Sequence, residues 1–185
     1  MSDQRYHLVY LEATSENVGR LSQELREWLR SEGWSIEAEG LSDWLSPSSG
    51  AIPADRYGPR MKDLARSLDM DYYDDETLTV YDSWEMYDGA QALEGVICLR
   101  CNFMVSDDDW DLYELGDEWM RTRVAPELTC PACGTTIPMD YWGLDSGVAV
   151  GTLAVTIELW DVRDNLRDAL RERFPGRWAG IYQRI

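Results

Sequence analysis

The chain has 185 residues, of which 35 are acidic and 17 basic, giving a formal net charge of −18. Its hydrophobic fraction of 44% and nine Trp exclude a disordered chain, which would be poor in aromatic and β-branched residues. No apolar run approaches the ~20 residues needed to span a bilayer, and Met-Ser-Asp-Gln-Arg at the start has no apolar signal core, so a cytoplasmic protein is expected.

His7 to Ala13 alternates, with His7, Val9, Leu11 and Ala13 on one side and Leu8, Tyr10 and Glu12 on the other, which is a strand pattern. Thr14 or Ser15 can then cap a helix. Its apolar stripe is Val18, Leu21, Leu25, Trp28 and Leu29, and Gly33 is the expected stop. A short strand is expected over Trp34 to Ala38. Ser46 to Arg60, rich in Ser, Pro and Gly, reads as loop. Gly58-Pro59 can open a second helix, since Pro suits the first helical position, with Met61, Leu64, Ala65 and Leu68 as its stripe. Asp69 to Glu76 is an acidic turn, and Thr77 to Met86 reads as one strand with Leu78, Val80, Trp84 and Met86 on a shared face.

Val148 to Trp160 reads as one long strand. Asp161 can cap a helix carrying Val162, Leu166, Leu170 and Phe174, Pro175-Gly176 ends it, and Trp178 to Ile185 is a final strand. Both ends of the chain therefore read strand–helix–strand. That pattern predicts an α+β fold, specifically a ferredoxin-like split β-α-β sandwich with helices on one face of an antiparallel sheet. The body would be residues 1–93 and 143–185, and residues 94–142 would be an insertion.

The insertion holds all four cysteines. Cys98-Leu-Arg-Cys101 and Cys130-Pro-Ala-Cys133-Gly134 are two C-x-x-C pairs. Two such turns can present four thiolates to one ion, with Zn–S near ~2.3 Å. Pro131 stiffens the second turn and Gly134 permits the reversal after it. A redox dithiol would need a thioredoxin-like β-α-β setting, which is absent here, and buried free thiols are the remaining alternative. In a reducing compartment, disulfides are the weaker reading.

These residues resemble the zinc-ribbon superfamily, most specifically in the C-P-x-C-G form of 130–134. The resemblance implies one structural Zn²⁺ held by Cys98, Cys101, Cys130 and Cys133, with no open position for substrate. It covers about 94–142 only. The 28 residues between the pairs exceed the usual ~15–20, and the excess is an acidic loop or short helix.

The charge concentrates there. Residues 71–118 contain 15 acids and a single base, Arg100, whereas 119–185 carry eight of each. Such a stretch repels a nucleic-acid backbone and steers a basic protein toward it. The expected partner surface is Asp107, Asp108, Asp109, Trp110, Asp111, Tyr113, Glu114, Asp117 and Glu118, with Asp74, Asp75 and Glu76 nearby. The interleaved rings, including Tyr72, Tyr73, Tyr81, Trp84, Tyr87 and Trp119, are candidate anchors. A solvated acidic loop is the plain alternative. Asp107, Asp109, Asp111 and Glu118 also fall at calcium-loop positions, but Leu112 stands where that loop needs Gly.

No phosphate loop or dinucleotide motif is present, and His7, the only histidine, is expected to be structural. The expected function is thus a non-enzymatic zinc protein binding a basic protein, of the immunity, antitoxin or inhibitor kind. The 16 Arg against one Lys suit a GC-rich bacterial genome. The alternatives are a zinc-ribbon regulator or adaptor of transcription or translation machinery and, third, a carboxylate-dependent hydrolase.

Overall fold

The computed structural model describes residues 4–38, 42–43, 52–69, 76–145, 147–158 and 162–184. In chain order it builds β1 (Gln4–Tyr10), α1 (Val18–Ser31), β2 (Ser35–Ile36), β3 (Ser42–Asp43), β4 (Ile52–Tyr57), α2 (Pro59–Ser67), β5 (Thr77–Tyr81) and β6 (Glu85–Asp88). The middle of the chain follows with β7 (Gly95–Ile97), β8 (Met104–Ser106), α3 (Leu112–Thr122), β9 (Glu127–Thr129) and β10 (Thr136–Pro138). A single 3-10 turn, Met139–Tyr141, leads to β11 (Val148–Gly151), β12 (Leu153–Ile157), α4 (Arg163–Arg173) and β13 (Trp178–Arg184). The fold is α+β.

The main sheet has seven strands in the order β13-β1-β12-β5-β4-β2, with β3 on β4, and all its pairings are antiparallel. The period-2 pattern of β1 decides which side chains face which layer. Tyr6, Leu8 and Tyr10 meet Leu25 and Leu29 of α1, Met61 and Ala65 of α2, and Leu166 and Leu170 of α4 in one core. Val9 points the other way, into a second core that includes Ala154, Ala179 and Ile181 of the sheet and Val96, Cys98, Trp119 and Cys130 of the middle segment. The sheet is therefore a central layer, with helices on one face and residues 94–142 packed on the other.

Several local readings hold. Gly33 takes φ +74 just after α1, and Pro59 stands in the first turn of α2. His7 is buried, with Nδ1 2.8 Å from Thr156 Oγ1 and Nε2 3.2 Å from Gln183 Oε1, so it serves as a strand-to-strand tie. The Asp161 cap lies outside the described residues.

Three readings change. The Ser46–Arg60 loop contains β4, whose Asp55 accepts two bonds from Arg30, at 2.9 and 2.8 Å, and one from Ser35 Oγ at 2.8 Å. Thr77–Met86 is two strands in different sheets: Leu78 and Val80 join the helix-side core, while Trp84 and Met86 pack on the opposite core. Asp82, Ser83 and Trp84 break the run. Val148–Trp160 likewise changes partner at Thr152, with β11 pairing β6 and β12 pairing β1 and β5.

Burial alone would raise the Asp55 carboxyl, but the Arg30 and Ser35 bonds outweigh it and hold it below its usual range. The contribution is therefore present above the unfolded value of ~3.9 and fades as pH falls through the lower folded one. Asp55→Asn is expected to cost about 1–2 kcal/mol at neutral pH, discounted for the partly exposed Arg30. The penalty should shrink below pH ~4, and denaturant unfolding across pH measures it. A pH-independent penalty would contradict the assignment.

Candidate metal centre

Each C-x-x-C pair sits where an antiparallel hairpin or its entry closes on a tight turn. In the first, between β7 and β8, the Cys98 N–H donates to Phe103 O (2.9 Å) and the Asn102 N–H to Cys98 O (2.8 Å). In the second, between β9 and β10, the Cys130 N–H donates to Thr135 O (2.9 Å) and the Gly134 N–H to Cys130 O (2.8 Å). The two turns are the same structure used twice. The residue after the second cysteine is left-handed in both, Asn102 at φ +59 and Gly134 at φ +69. Asn is the non-glycine residue that best tolerates this region, so Asn102 is the counterpart of Gly134, a match that glycine-based reading misses.

The four Sγ atoms all lie within 4.8 Å of one another. Across the turns, Cys98 and Cys133 are 3.9 Å apart and Cys101 and Cys130 3.7 Å. A tetrahedron with metal–sulfur bonds of ~2.3 Å has sulfurs about 3.8 Å apart, whereas a disulfide needs ~2.05 Å. The spacing thus fits four ligands around one ion, such as zinc. All four expected ligands are brought together, and among the described residues no other group of three or more His, Cys, Asp or Glu is placed to hold a metal. The calcium-loop reading of Asp107, Asp109, Asp111 and Glu118 is thereby set aside.

Cys98 and Cys130 are fully buried; Cys101 and Cys133 are exposed. As a free thiol, Cys133 is lowered to about 6, chiefly by the Thr135 hydroxyl, with the Thr135 backbone assisting. Cys101 is pushed up to about 12: its Phe103 backbone bond lowers it, but desolvation and the neighbouring sulfurs outweigh that. Binding of a divalent ion requires thiolates and therefore releases protons, so affinity falls as pH falls.

No protein-family model matches the chain, and no curated protein or solved structure matches it either.

The segment between the turns is organised. Leu112, Gly116 and Trp119 are the buried stripe of α3, spaced i, i+4, i+7 on one face. This packs on β6 and β11. Trp84 Nε1 donates to Met120 O at 2.9 Å, and the Arg123 guanidinium lies 5.5 Å from the Trp84 ring. Asp108, Asp109, Asp111, Tyr113, Glu114, Asp117 and Glu118 are exposed; Asp107 and Trp110 are half-buried. Asp111 caps α3 by accepting from the Glu114 N–H (2.9 Å), and Asp107 accepts from the Leu112 N–H (3.1 Å). Both carboxylates also oppose the positive helix end.

The rings are mostly not displayed. Tyr81, Tyr87 and Trp119 are buried, and Trp110 packs edge-on against Trp142 at 5.2 Å. Large apolar rings were drawn into the second core, and of those named on α3 only Tyr113, 40% exposed, faces out. Glu76 precedes β5 in the main sheet. Asp74, Asp75, Tyr72 and Tyr73 lie outside the described residues. No helix among the described residues is long and apolar enough to cross a membrane.

Proposed function

We propose that this chain is a non-enzymatic zinc protein whose acidic α3 face binds a basic protein partner, of the immunity, antitoxin or inhibitor kind. The observation that carries the reading is an unneutralised surface. Among the described residues, Arg side chains pair with acids such as Glu24, Asp55 and Asp140, yet no cation pairs with any acid of 107–118. Such a field accelerates encounter with a positive partner and opposes a phosphate backbone. A reducing cytoplasm suits the four thiols.

Zinc is the metal of this proposal. Tetrahedral sulfur sites take zinc or iron–sulfur clusters, and the paired hairpins β7–β8 and β9–β10 support a zinc-ribbon reading. A colourless protein with one zinc per chain is expected. A four-sulfur shell has no open position, so the ion is structural. For the body, the order β13-β1-β12-β5, with α1 linking β1 toward β5 and α4 linking β12 to β13, supports the ferredoxin-like split β-α-β reading.

The test uses acids without local duties, which excludes Asp107 and Asp111. Asp108→Asn, Asp117→Asn and Glu118→Gln together should slow association with a basic nuclease about tenfold at low ionic strength. The difference should close at ~1 M salt, where the screening length is ~3 Å. An unchanged low-salt rate, or no salt-sensitive binding to any basic protein, would overturn the proposal.

A second reading, a zinc-ribbon adaptor acting through protein contacts, is favoured by the first turn. Leu99, Phe103 and Met104 are 63%, 43% and 49% exposed there, next to Arg100. Capture of partners that survives high salt and is lost in Leu99→Ser would favour it.

A further inference from the structure

Resting on the reading of the acidic face as a docking surface, we propose that its centre is a groove that accepts a basic protein segment carrying one apolar anchor. The groove, of about 550 Å³, runs between the start of α3 and β9. Its rim holds Asp109, Asp111, Glu114, Glu118 and Glu127. Its floor is apolar: Trp110, Leu115 and Leu128.

The rim acids are not equivalent. Asp109 accepts from Ser106 Oγ at 2.9 Å and Asp111 caps the helix, so both have work within the fold. The side chains of Glu114, Glu118 and Glu127 have no hydrogen bond or ion pair among the described residues. Three like charges around one depression repel each other, and a cation seated between them relieves that repulsion. Lysine or arginine supplies the cation.

The floor narrows the occupant further. A bare polycation would satisfy the rim and leave Trp110 and Leu115 facing water. A segment with an aliphatic or aromatic side chain between its basic residues covers them, and burial of apolar area adds to the charge term. The β9 side of the groove is also tied into the core. Leu128, only 5% exposed, packs in the same core as Cys130, two residues on, and as Leu112 and Trp119 of α3, so β9 and α3 are joined through shared packing. A preformed groove lowers the ordering cost of binding.

Two synthetic peptides test this: one lysine-rich with a central tryptophan, one with serine at that place. Titration at low and near-physiological salt, with metal content and melting checked for every variant, gives the readout. The tryptophan peptide is expected to bind about tenfold more tightly than the serine peptide. Glu118→Lys, on the rim, should weaken it about tenfold, and Asp117→Lys, the same charge change on the same helix but off the groove, by much less. Leu115→Gln, which keeps a good helix former, should erase the tryptophan advantage while sparing the serine peptide. Equal effects of the two lysine changes with no advantage for tryptophan would overturn the groove and leave the broader acidic docking surface standing. Failure of both peptides to bind even at low salt would overturn both.

Discussion

Cys130→Ser is expected to lower metal binding at the four-cysteine cluster to near zero and to unfold far more than one turn. Cys130 is fully buried and lies 3.7 Å from Cys101, so its loss opens the shell and leaves three sulfurs with an incomplete set. Structural zinc contributes on the order of 10–16 kcal/mol in zinc-finger peptides, comparable to the whole stability of a typical domain, ~5–15 kcal/mol. The damage should also spread. Cys98 and Cys130 sit in one core with Val9, Ala154 and Ala179 of the main sheet, so loosening the turns uncovers one face of β1, β12 and β13. The other face, packed by α1, α2 and α4, has its own apolar layer and should keep partial protection. Elemental analysis reads the first effect, and amide exchange reads the second as protection lost first in β7–β10 and α3. Chelation of the parent chain should reproduce the pattern without any substitution. Full metal content in the variant, or unchanged exchange after chelation, would remove the metal from the account of this fold.

The parts that could be read from the sequence are those whose signals are local. Each C-x-x-C turn needs only the few residues around it, and the four cysteines that cluster were identifiable from spacing. The helices α1, α2 and α4 announced themselves because an apolar stripe at helical spacing has one partner layer. What resisted reading depended on distant partners. Val148–Ile157 is buried on both faces throughout, so its alternation gives no hint that it leaves β6 for β1 and β5 at Thr152. The strand β4 was hidden by Pro53 and the flanking Ser-Gly run, and its pairings with β2, β3 and β5 are what make it a strand. Glu127 and Leu128 were missed as groove residues because they belong to the second hairpin and reach α3 only in the folded chain. The rings of Tyr81, Tyr87 and Trp119 look alike in sequence whether they anchor a partner or fill a core. The presence of a second core, on the far side of the sheet, is what decides the matter.

Gly116→Leu should undock α3 and take the acidic face with it. Glycine in a helix interior costs about 1 kcal/mol relative to alanine, so an exposed helix would gain from losing it. Here the helix is held against β6 and β11 at this residue. A Cβ at Gly116 would meet Met86 Sδ at 2.6 Å and Val148 Cγ1 at 2.8 Å. The methionine can swing aside, but Val148 is fully buried and its β-branched side chain is stiff at χ1. Four added carbons must push the helix off the strands, at a cost of about 3 kcal/mol. Gly134→Ala is the contrast. That glycine has nothing within 4 Å of an added Cβ but takes φ +69, so only the backbone resists, by about 1–2 kcal/mol. Thermal melting should rank Gly116→Leu well below Gly134→Ala. Exchange protection should vanish from Leu112–Thr122 in the first, and any binding of a basic peptide should lose its dependence on Leu115. If Gly116→Leu melts with the parent and α3 stays protected, the helix is not seated through this contact, and the groove it forms with β9 loses the wall on which its selectivity rests.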